Sequence, residues 1–443
     1  MGERRCSRSC RHSGSILPRQ SGTSGSPFEE RKRMSSTFEV NVFSPDFLEN
    51  PFPIYEQLRT QDPVYWSPEL GAWLVSRYAD VKTLLSDEHV TADQKAWSGY
   101  QRVVDAGERY PNVLWALDQT LLLRHGSIHS RLRRFGGEPF ASAGCERVAR
   151  VTQAVVREVL DGFAGRNEID LLADYSTPLR IKVMNRLFGS LFTPEQENFL
   201  VHGTNAALGF LEPSIDPEIL GRNDAALRDF RALVDGLVEQ ALAQGTEDSI
   251  IGDLLNARRG DDRLTQEEVV SLVFSYLLAG TEANGSLITM GILVLLEHRA
   301  ELAALLKEPE RFDDAVVEIL RFRSFTKFLP RYVLADFELN SRKMRKGEIV
   351  LLLFQSAFRD PDAFENPDVF DVARCKSNEL AFGAGAHRCV GERMAKIEGA
   401  IALREFFARF PNASLRDPNA DWVKHHMLVA VPRTVPVVPM LLS

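Results

Sequence analysis

The sequence predicts a mainly α-helical fold with small β-sheets. Long segments carry apolar residues at helical spacing, short β-rich runs lie between them, and no Pro/Gly/Ser-rich linker follows about residue 40. A chain of 443 residues with 44% hydrophobic residues can bury a large core, and 26% charged residues is ordinary for a globular protein. We therefore expect one large domain over residues 38–443.

The predicted elements follow in order along the chain. Residues 51–59 read as a first amphipathic helix, and residues 64–66 and 72–76 as short strands. The β-rich run 349–353, just after Gly347, predicts another strand. Helical periodicity covers six longer segments, at 146–162, 193–209, 223–243, 266–298, 313–323 and 391–409.

One helix start is especially clear. Thr265 followed three residues later by Glu268 forms a capping box ahead of a strongly apolar run. A helix from there to about His298 would span on the order of 50 Å, which is enough to cross the molecule. Because it is hydrophobic on most faces, it should be the buried central element.

The N-terminal residues 1–37 differ in composition from the rest. They are rich in Arg, Ser and Gly and have little helical period, so we predict a disordered extension: a tag, a leader, or residues upstream of a native start at Met34. Cys6 and Cys10 lie there without a second ligand pair, so a metal site is not predicted. The sequence contains no run of about 20 apolar residues, so no membrane anchor is predicted.

Charge and cysteine usage narrow the class of protein. A net charge of −8 argues weakly against nucleic-acid binding. The five cysteines show no disulfide or zinc spacing within the folded region, so a reducing cytoplasm is the expected setting.

The most informative segment places Cys389 in a glycine-rich loop directly before a predicted helix. The helix N-terminus would stabilise a sulfur anion, while Gly383, Gly385 and Gly391 allow tight turns and the approach of a flat ligand. A buried structural cysteine is the simpler alternative. Three glycines around one cysteine argue against it.

This loop resembles the haem-ligand loop of bacterial cytochrome P-450, through Phe382, Gly383, Gly385, His387, Cys389 and Gly391. The resemblance implies the cytochrome P-450 fold, with a long central helix over a haem b group (iron protoporphyrin IX). It also implies that Cys389 is the axial thiolate ligand of the iron and that His387 is a partner of a haem propionate.

Further residues resemble the family's cofactor partners. His129 and Arg133 match an HxxxR pattern on one helix face, and Arg331 matches an arginine that follows the next motif. Each alone would more simply be a solvated surface charge. Together with His387 they read as a cradle for two carboxylates, which need charge-assisted donors when buried.

Glu318 and Arg321 lie three apart on one helix face and are flanked by apolar residues. Alone they would be an ordinary surface ion pair. They resemble the ExxR motif that braces the core behind the haem loop. The family often adds an arginine where this chain has Val369, and Arg374 is a candidate replacement.

The central helix contains a departure from the family. Gly280, Glu282, Ala283 and Asn284 align with an oxygen-activation motif whose threonine is here Ala283. Thr281 cannot replace it, because two positions along a helix rotate a side chain by about 200°. Glu282 is predicted to relay protons. The missing hydroxyl leaves three explanations open: a hydroxyl or carboxylate of the substrate, a water ordered by Asn284 or Ser286, or another oxidative course such as coupling, cyclisation or desaturation.

Substrate contacts are predicted only by segment. Aromatic residues at Trp97, Tyr100, Tyr110 and Trp115 suggest a bulky substrate, with aromatic compounds among the candidates. Residues 206–222 are predicted to form a mobile lid. Candidate contacts in the lid and the pocket wall are Phe210, Pro213, Phe325, Phe328, Leu329, Met427 and Leu428.

The resemblance implies a haem-thiolate monooxygenase of specialised metabolism that is cytoplasmic and monomeric. A ferredoxin with its reductase, or a flavodoxin, would supply electrons at a basic patch. The patch residues would be Arg131, Arg134, Arg388, Arg393 and Lys396. The alternatives are a peroxygenase that uses hydrogen peroxide and a non-catalytic partner of a pathway enzyme.

Overall fold

A computed structural model describes residues 40–42, 44–212, 214–377, 380–417, 421–422 and 432–439. The predicted disordered extension, residues 1–37, lies outside these residues. Helices dominate the described part and small sheets flank them, so the predicted fold class is confirmed.

The helices agree closely with those predicted. The amphipathic helix predicted at 51–59 spans Phe52–Gln61, and all six longer periodic segments are helical. In chain order the α-helices, α1 to α16, are Pro45–Glu49, Phe52–Gln61, Tyr78–Leu84, Tyr100–Asp105, Pro111–Gln119, Gly126–Gly136, Ser142–Asp161, Thr177–Leu187, Pro194–Leu208, Pro217–Gln244, Ile250–Asn256, Gln266–Glu297, Arg299–Lys307, Phe312–Phe322, Phe354–Ala357 and Glu392–Arg409.

The strands form small sheets. In chain order the strands, β1 to β14, are Val64–Ser67, Ala72–Val75, Val90–Thr91, Ile169–Asp170, Arg258–Arg259, Asp262–Arg263, Phe328–Val333, Phe337–Leu339, Arg342–Met344, Ile349–Leu353, Ser414–Leu415, Asp421–Trp422, Pro432–Thr434 and Pro436–Val438. The largest sheet has the order β1-β2-β10-β7-β3. Within it β2 and β10 run parallel and the other neighbours antiparallel.

The central helix α12 begins at the predicted capping box. The Thr265 hydroxyl accepts a hydrogen bond from the Glu268 backbone N–H, and the Glu268 carboxylate accepts one from the Thr265 N–H. The helix is long and apolar enough to cross a membrane by length and composition, but 78% of its most apolar stretch is buried inside the protein. Its apolar character is therefore that of a core helix.

Two contacts fix the elements that carry the site. Arg331 of β7 pairs opposite Val350 of β10, so the sheet holds its backbone in place. The Tyr276 hydroxyl of α12 donates to Gly136 O at the end of α6, at 2.6 Å. Residues of α6, α12, β7 and the loop 382–391, called the cysteine loop below, line one cavity.

Candidate functional site

A cavity of about 380 Å³ lies between the central helix, the cysteine loop and the segment that joins α14 to β7. Cys389, Gly391 and Phe382 line it from the loop, and Gly280, Ala283 and Asn284 line it from α12. Much of the remaining wall is apolar and includes Leu121, Met184, Phe188, Leu278, Phe325 and Leu329. The loop and the central helix therefore face each other across one cavity, as the sequence predicts.

The backbone conformation requires glycine at two positions of the cysteine loop. Gly383 and Gly385 have φ of +73° and +67°, and a Cβ at Gly385 would come within 2.8 Å of Leu85 O. The turn that they allow is closed by a hydrogen bond of 2.8 Å from Cys389 N to Phe382 O. Gly391 differs, because its φ is −87° and a Cβ there would meet nothing within 4 Å. It is therefore not needed for a turn, contrary to the prediction, but it leaves open space on the cavity wall.

The Cys389 thiol is accessible from the cavity yet lies within the protein mass. Burial raises its pKa, while a hydrogen bond from the Gly391 N–H and the charge of Arg133 act in the opposite direction. Burial prevails, so the helix end and nearby cations do not by themselves make this cysteine a thiolate. A bound metal cation would, because a coordinating thiol is deprotonated outright.

The four predicted carboxylate partners converge on the cavity. His129, Arg133, Arg331 and His387 all line it, and the imidazole rings of His129 and His387 lie 4.2 Å apart. Burial, followed by the charges of His129 and Arg331, lowers the pKa of His387 to about 3. Burial also lowers the pKa of Arg331 to about 10.

None of these four side chains has a carboxylate partner among the residues that the structure describes. Arg331 is only 4% exposed, so its charge is buried without compensation. We call His129, Arg133, Arg331 and His387 the cationic cradle after its two arginines; the two histidines, whose pKa values are lowered, are neutral hydrogen-bond donors. A flat ligand with two carboxylates and a metal near Cys389 would match both the charges and the thiol, so these residues fit haem.

Behind the loop, Glu318 and Arg321 form a bidentate ion pair with both N···O distances at 2.8 Å. They are 2% and 1% exposed. Arg321 also donates to the carbonyls of Pro367 and Val369, which anchors the segment before the cysteine loop. Arg374 Nε lies 3.4 Å from Glu318 Oε1. Arg374 therefore supplies the positive charge that the family often has at the position of Val369.

At the position of the family's threonine, the central helix presents Ala283 to the cavity. Thr281 is fully buried, and its hydroxyl donates to Leu277 O. Glu282 does not line the cavity; its carboxylate pairs with Arg180 at 3.2 Å. The predicted proton relay through Glu282 therefore has no direct contact with the cavity.

A different carboxyl group reaches the helix at this point. Asn284 lines the cavity, and its Nδ2 donates to Glu398 Oε2 of α16 at 2.6 Å. Glu398 is 3% exposed and its other oxygen, Oε1, has no hydrogen-bond partner within the described part of the chain. Burial raises the pKa of Glu398 to about 8, so its carboxyl carries a proton at neutral pH. We did not predict this residue; the available signal was one acidic residue within the apolar run 397–403.

Several predicted substrate contacts lie elsewhere. Trp97, Tyr100, Tyr110 and Trp115 do not line the cavity, and the Trp115 ring packs under the Arg231 guanidinium at 4.2 Å instead. These aromatic residues therefore give no support to an aromatic substrate.

Of the remaining candidates, Phe325 and Leu329 line the cavity, whereas Phe328 does not. Phe210 is core, while its neighbours Leu208 and Leu211 line the cavity. Three further candidates, Pro213, Met427 and Leu428, lie outside the described residues.

The predicted basic patch is largely neutralised. Arg131 pairs with Asp262 at 2.7 Å and with Glu268 at 2.5 Å. Arg388 and Lys396 both pair with Glu392, at 2.7 and 2.8 Å. Arg134 and Arg393 remain exposed, so the patch is smaller than the sequence suggested.

The fold and this cavity are those of a haem-binding oxidoreductase, and comparisons with known proteins identify the family. The family profile described as Cytochrome P450 matches residues 196–432. The epothilone C/D epoxidase of Sorangium cellulosum is 30% identical over 404 residues, covering 88% of this chain and 93% of that protein. The chain belongs to the cytochrome P450 family.

Two further relatives agree. The 6-deoxyerythronolide B hydroxylase of Saccharopolyspora erythraea is 31% identical over 366 residues, covering 82% of this chain and 89% of that protein. A crystal structure of epothilone D-bound cytochrome P450epoK has a TM-score of 0.81 and 27% identity, covering 91% of this chain and 99% of that one. The protein is therefore a haem-dependent oxidoreductase that acts on a small molecule and takes electrons from a redox partner.

Proposed function

We propose that this protein is a haem b monooxygenase that oxidises a bulky, apolar specialised metabolite in the cytoplasm. The observation that carries the proposal is that one cavity holds the cationic cradle, Cys389 and an apolar wall. Two relatives at 30% and 31% identity are named for oxidations of epothilones and of 6-deoxyerythronolide B, which supports a substrate of this size and character. We also propose that residues 38–443 form one catalytic domain.

Cys389 would hold the haem iron, and the cationic cradle would hold the two propionates. When bound, haem supplies the activation of O2, with one oxygen atom going to the substrate and the other to water. The residues of the protein hold the haem, exclude water with the apolar wall, and deliver protons at the part of the wall formed by α12.

Proton delivery is where this chain differs from its family. With Ala283 in place of a threonine, Asn284 is the polar side chain next to it on the cavity wall, and Glu398, which accepts a hydrogen bond from Asn284, holds a proton behind that wall. We propose that a hydroxyl or carboxylate of the substrate completes the route beside Ala283. Glu398 Oε2 accepts from the Asn284 amide, so the proton of Glu398 lies on Oε1, which has no partner among the described residues. We propose that a water beside Asn284 takes this proton to the substrate's oxygen and that the carboxylate is reprotonated from solvent.

Replacing Ala283 by Thr tests substrate assistance. With a substrate found by spin-state titration against aromatic, macrolide and peptidyl scaffolds, we expect lower turnover in Ala283→Thr, because the added side chain crowds the substrate's own oxygen. An analogue without that oxygen should couple poorly in the natural protein and improve in the variant, by up to roughly a hundredfold. The measurement is product formed per NAD(P)H consumed for both substrates. Better coupling of the native substrate in Ala283→Thr would rule out substrate assistance.

The Glu398 carboxyl predicts a pH dependence of coupling. Because burial raises its pKa to about 8, the proton is present below that pH and is lost above it. Product per NAD(P)H should therefore fall as pH rises through 8, and Glu398→Gln, which keeps the hydrogen bond from Asn284 possible but cannot titrate, should remove this fall. The matched control is Glu405→Gln, which removes a partly exposed carboxylate of the same helix and should keep the wild-type profile.

A structural readout accompanies this test. Glu398 ionises at about its ordinary pKa of 4.5 when unfolded but near 8 when folded, so the unfolded state binds fewer protons between these values. The free energy of unfolding should fall with rising pH across this window, and less so in Glu398→Gln. An identical pH profile in both proteins would show that Glu398 is not the titrating group.

We propose that a ferredoxin with its reductase, or a flavodoxin, supplies the electrons. This donor would dock near the exposed Arg134 and Arg393. We propose that the protein itself is a monomer.

The absence of a hydroxyl at Ala283 favours one alternative, a peroxygenase that uses hydrogen peroxide. Turnover with hydrogen peroxide alone, at the rate reached with a redox partner, would favour that alternative. The uncompensated cradle argues against a non-catalytic relative, since buried charge without a ligand would only destabilise it.

A further inference from the structure

The hydroxyl groups on the cavity wall are not equally available to a ligand. Among the described residues that line the cavity, five carry a hydroxyl, and in four of them it donates to a backbone carbonyl of the protein. These bonds are Thr120 to Ala116 O at 2.7 Å, Ser275 to Ser271 O at 2.8 Å, Tyr276 to Gly136 O at 2.6 Å, and Ser324 to Thr326 O at 3.0 Å.

Thr326 is the fifth. Its carbonyl accepts the Ser324 bond, but its hydroxyl has no hydrogen-bond partner within the described ranges of the chain. It lies in the segment between α14 and β7, and its neighbours Phe325 and Leu329 line the same cavity with apolar side chains. The cavity wall thus runs from Arg331 of the cradle past Leu329 to an unpartnered hydroxyl.

We propose that the Thr326 hydroxyl is a specificity determinant, which selects apolar substrates that carry an acceptor oxygen: a carbonyl, an ether or a hydroxyl. An apolar surface that covers Thr326 would remove its water and leave its donor unsatisfied, which is unfavourable. A substrate oxygen that accepts from Thr326 avoids this penalty. The inference rests on the proposed function, in that the cavity is taken to bind a bulky apolar small molecule.

The other four hydroxyls cannot serve in the same way. To donate to a substrate, each would first have to give up a hydrogen bond to the protein backbone, so the exchange gains little. Discrimination by hydrogen bonding is strongest where the site would otherwise be left with an unpaired buried group. Among the five hydroxyl groups, that of Thr326 is the one that a bound apolar ligand would leave without a hydrogen-bond acceptor.

The test compares ligands that differ only in one acceptor oxygen. Haem-loaded protein is titrated by calorimetry with cyclododecanone and cyclododecane, and again with 2-decanone and decane. For each pair, the ketone preference is the Kd of the hydrocarbon divided by the Kd of the ketone. In Thr326→Val, which keeps the shape but removes the hydroxyl, this preference should fall roughly three- to tenfold, the amount expected for one neutral hydrogen bond.

Two further variants separate the hydroxyl from general effects. Thr326→Ser keeps a hydroxyl and should retain the preference, whereas Thr120→Val makes the same substitution at a cavity hydroxyl committed to the backbone and should leave the preference unchanged. An unchanged ketone preference in Thr326→Val overturns the proposal. So does an equal loss in Thr120→Val, because the effect would then come from wall polarity in general.

These outcomes do not depend on turnover. Calorimetry reports binding in protein whose haem content is measured beforehand, so a failure of the proposed oxidation would appear in product assays while the ketone preference persisted. Loss of the preference with intact oxidation would instead reject only the role of Thr326.

Discussion

Cys389→Ala is expected to abolish the thiolate signature of the reduced carbon monoxide complex, since Cys389 is the cysteine that lines the cavity. Burial keeps this thiol protonated in the protein alone, so its value as a ligand depends on the positive charge of a bound metal. The variant should still fold, because the loop turn depends on Gly383, Gly385 and the backbone N–H of residue 389 rather than on the sulfur. The measurement is the position of the Soret band after reduction under carbon monoxide.

Cys145→Ala is the matched control. Cys145 is half-buried and its thiol contacts Phe140 O at 3.4 Å, so the substitution removes a thiol that lies away from the loop. It should keep the thiolate band in full. A thiolate band that survived in Cys389→Ala would mean that another residue holds the iron, and the assignment of the loop would be wrong.

The parts of the site predicted from the residues alone are those set by short spacings, whereas the meeting of His129, Arg133, Arg331 and His387 was predicted by resemblance to a known family. Glu318 and Arg321 are three residues apart on a helix, so their meeting follows from helix geometry alone. The left-handed glycines at 383 and 385 lie within a few residues of Cys389, and the capping box at Thr265 spans three. Local rules determine each of these features.

The parts that were missed depend on contacts between distant segments. Glu398 meets Asn284 across 114 residues, and nothing in either local sequence specifies that approach. Arg131 resembles a free surface cation in the sequence because its partners Asp262 and Glu268 lie more than 130 residues away. Trp115, one of the aromatic residues that suggested a bulky substrate, does not line the cavity because its ring packs against Arg231 and Phe274, which are also more than 100 residues away.

The second large effect is expected from the cationic cradle. In Arg133→Ala/Arg331→Ala, two of its four donors are gone, and each charge-assisted hydrogen bond to a buried carboxylate contributes about 1.5–3 kcal/mol. Haem affinity should therefore fall roughly 10²- to 10⁴-fold, with each single variant affected much less. The measurement is haem retained after transfer to excess apomyoglobin, and the matched control is Arg134→Ala/Arg393→Ala, which removes two exposed arginines outside the cavity.

The direction of the stability change separates a lost cofactor contact from a damaged fold. Without haem, Arg331 is a buried cation with no carboxylate partner among the described residues, and burial lowers its pKa to about 10. Removing an uncompensated charge relieves its desolvation cost, so the haem-free double variant should unfold at the same or a higher urea concentration than the haem-free natural protein. With haem the order should reverse, because the natural protein gains the propionate contacts. Full haem retention in the double variant, or a haem-free variant that is clearly less stable, would show that Arg133 and Arg331 serve the fold rather than the cofactor.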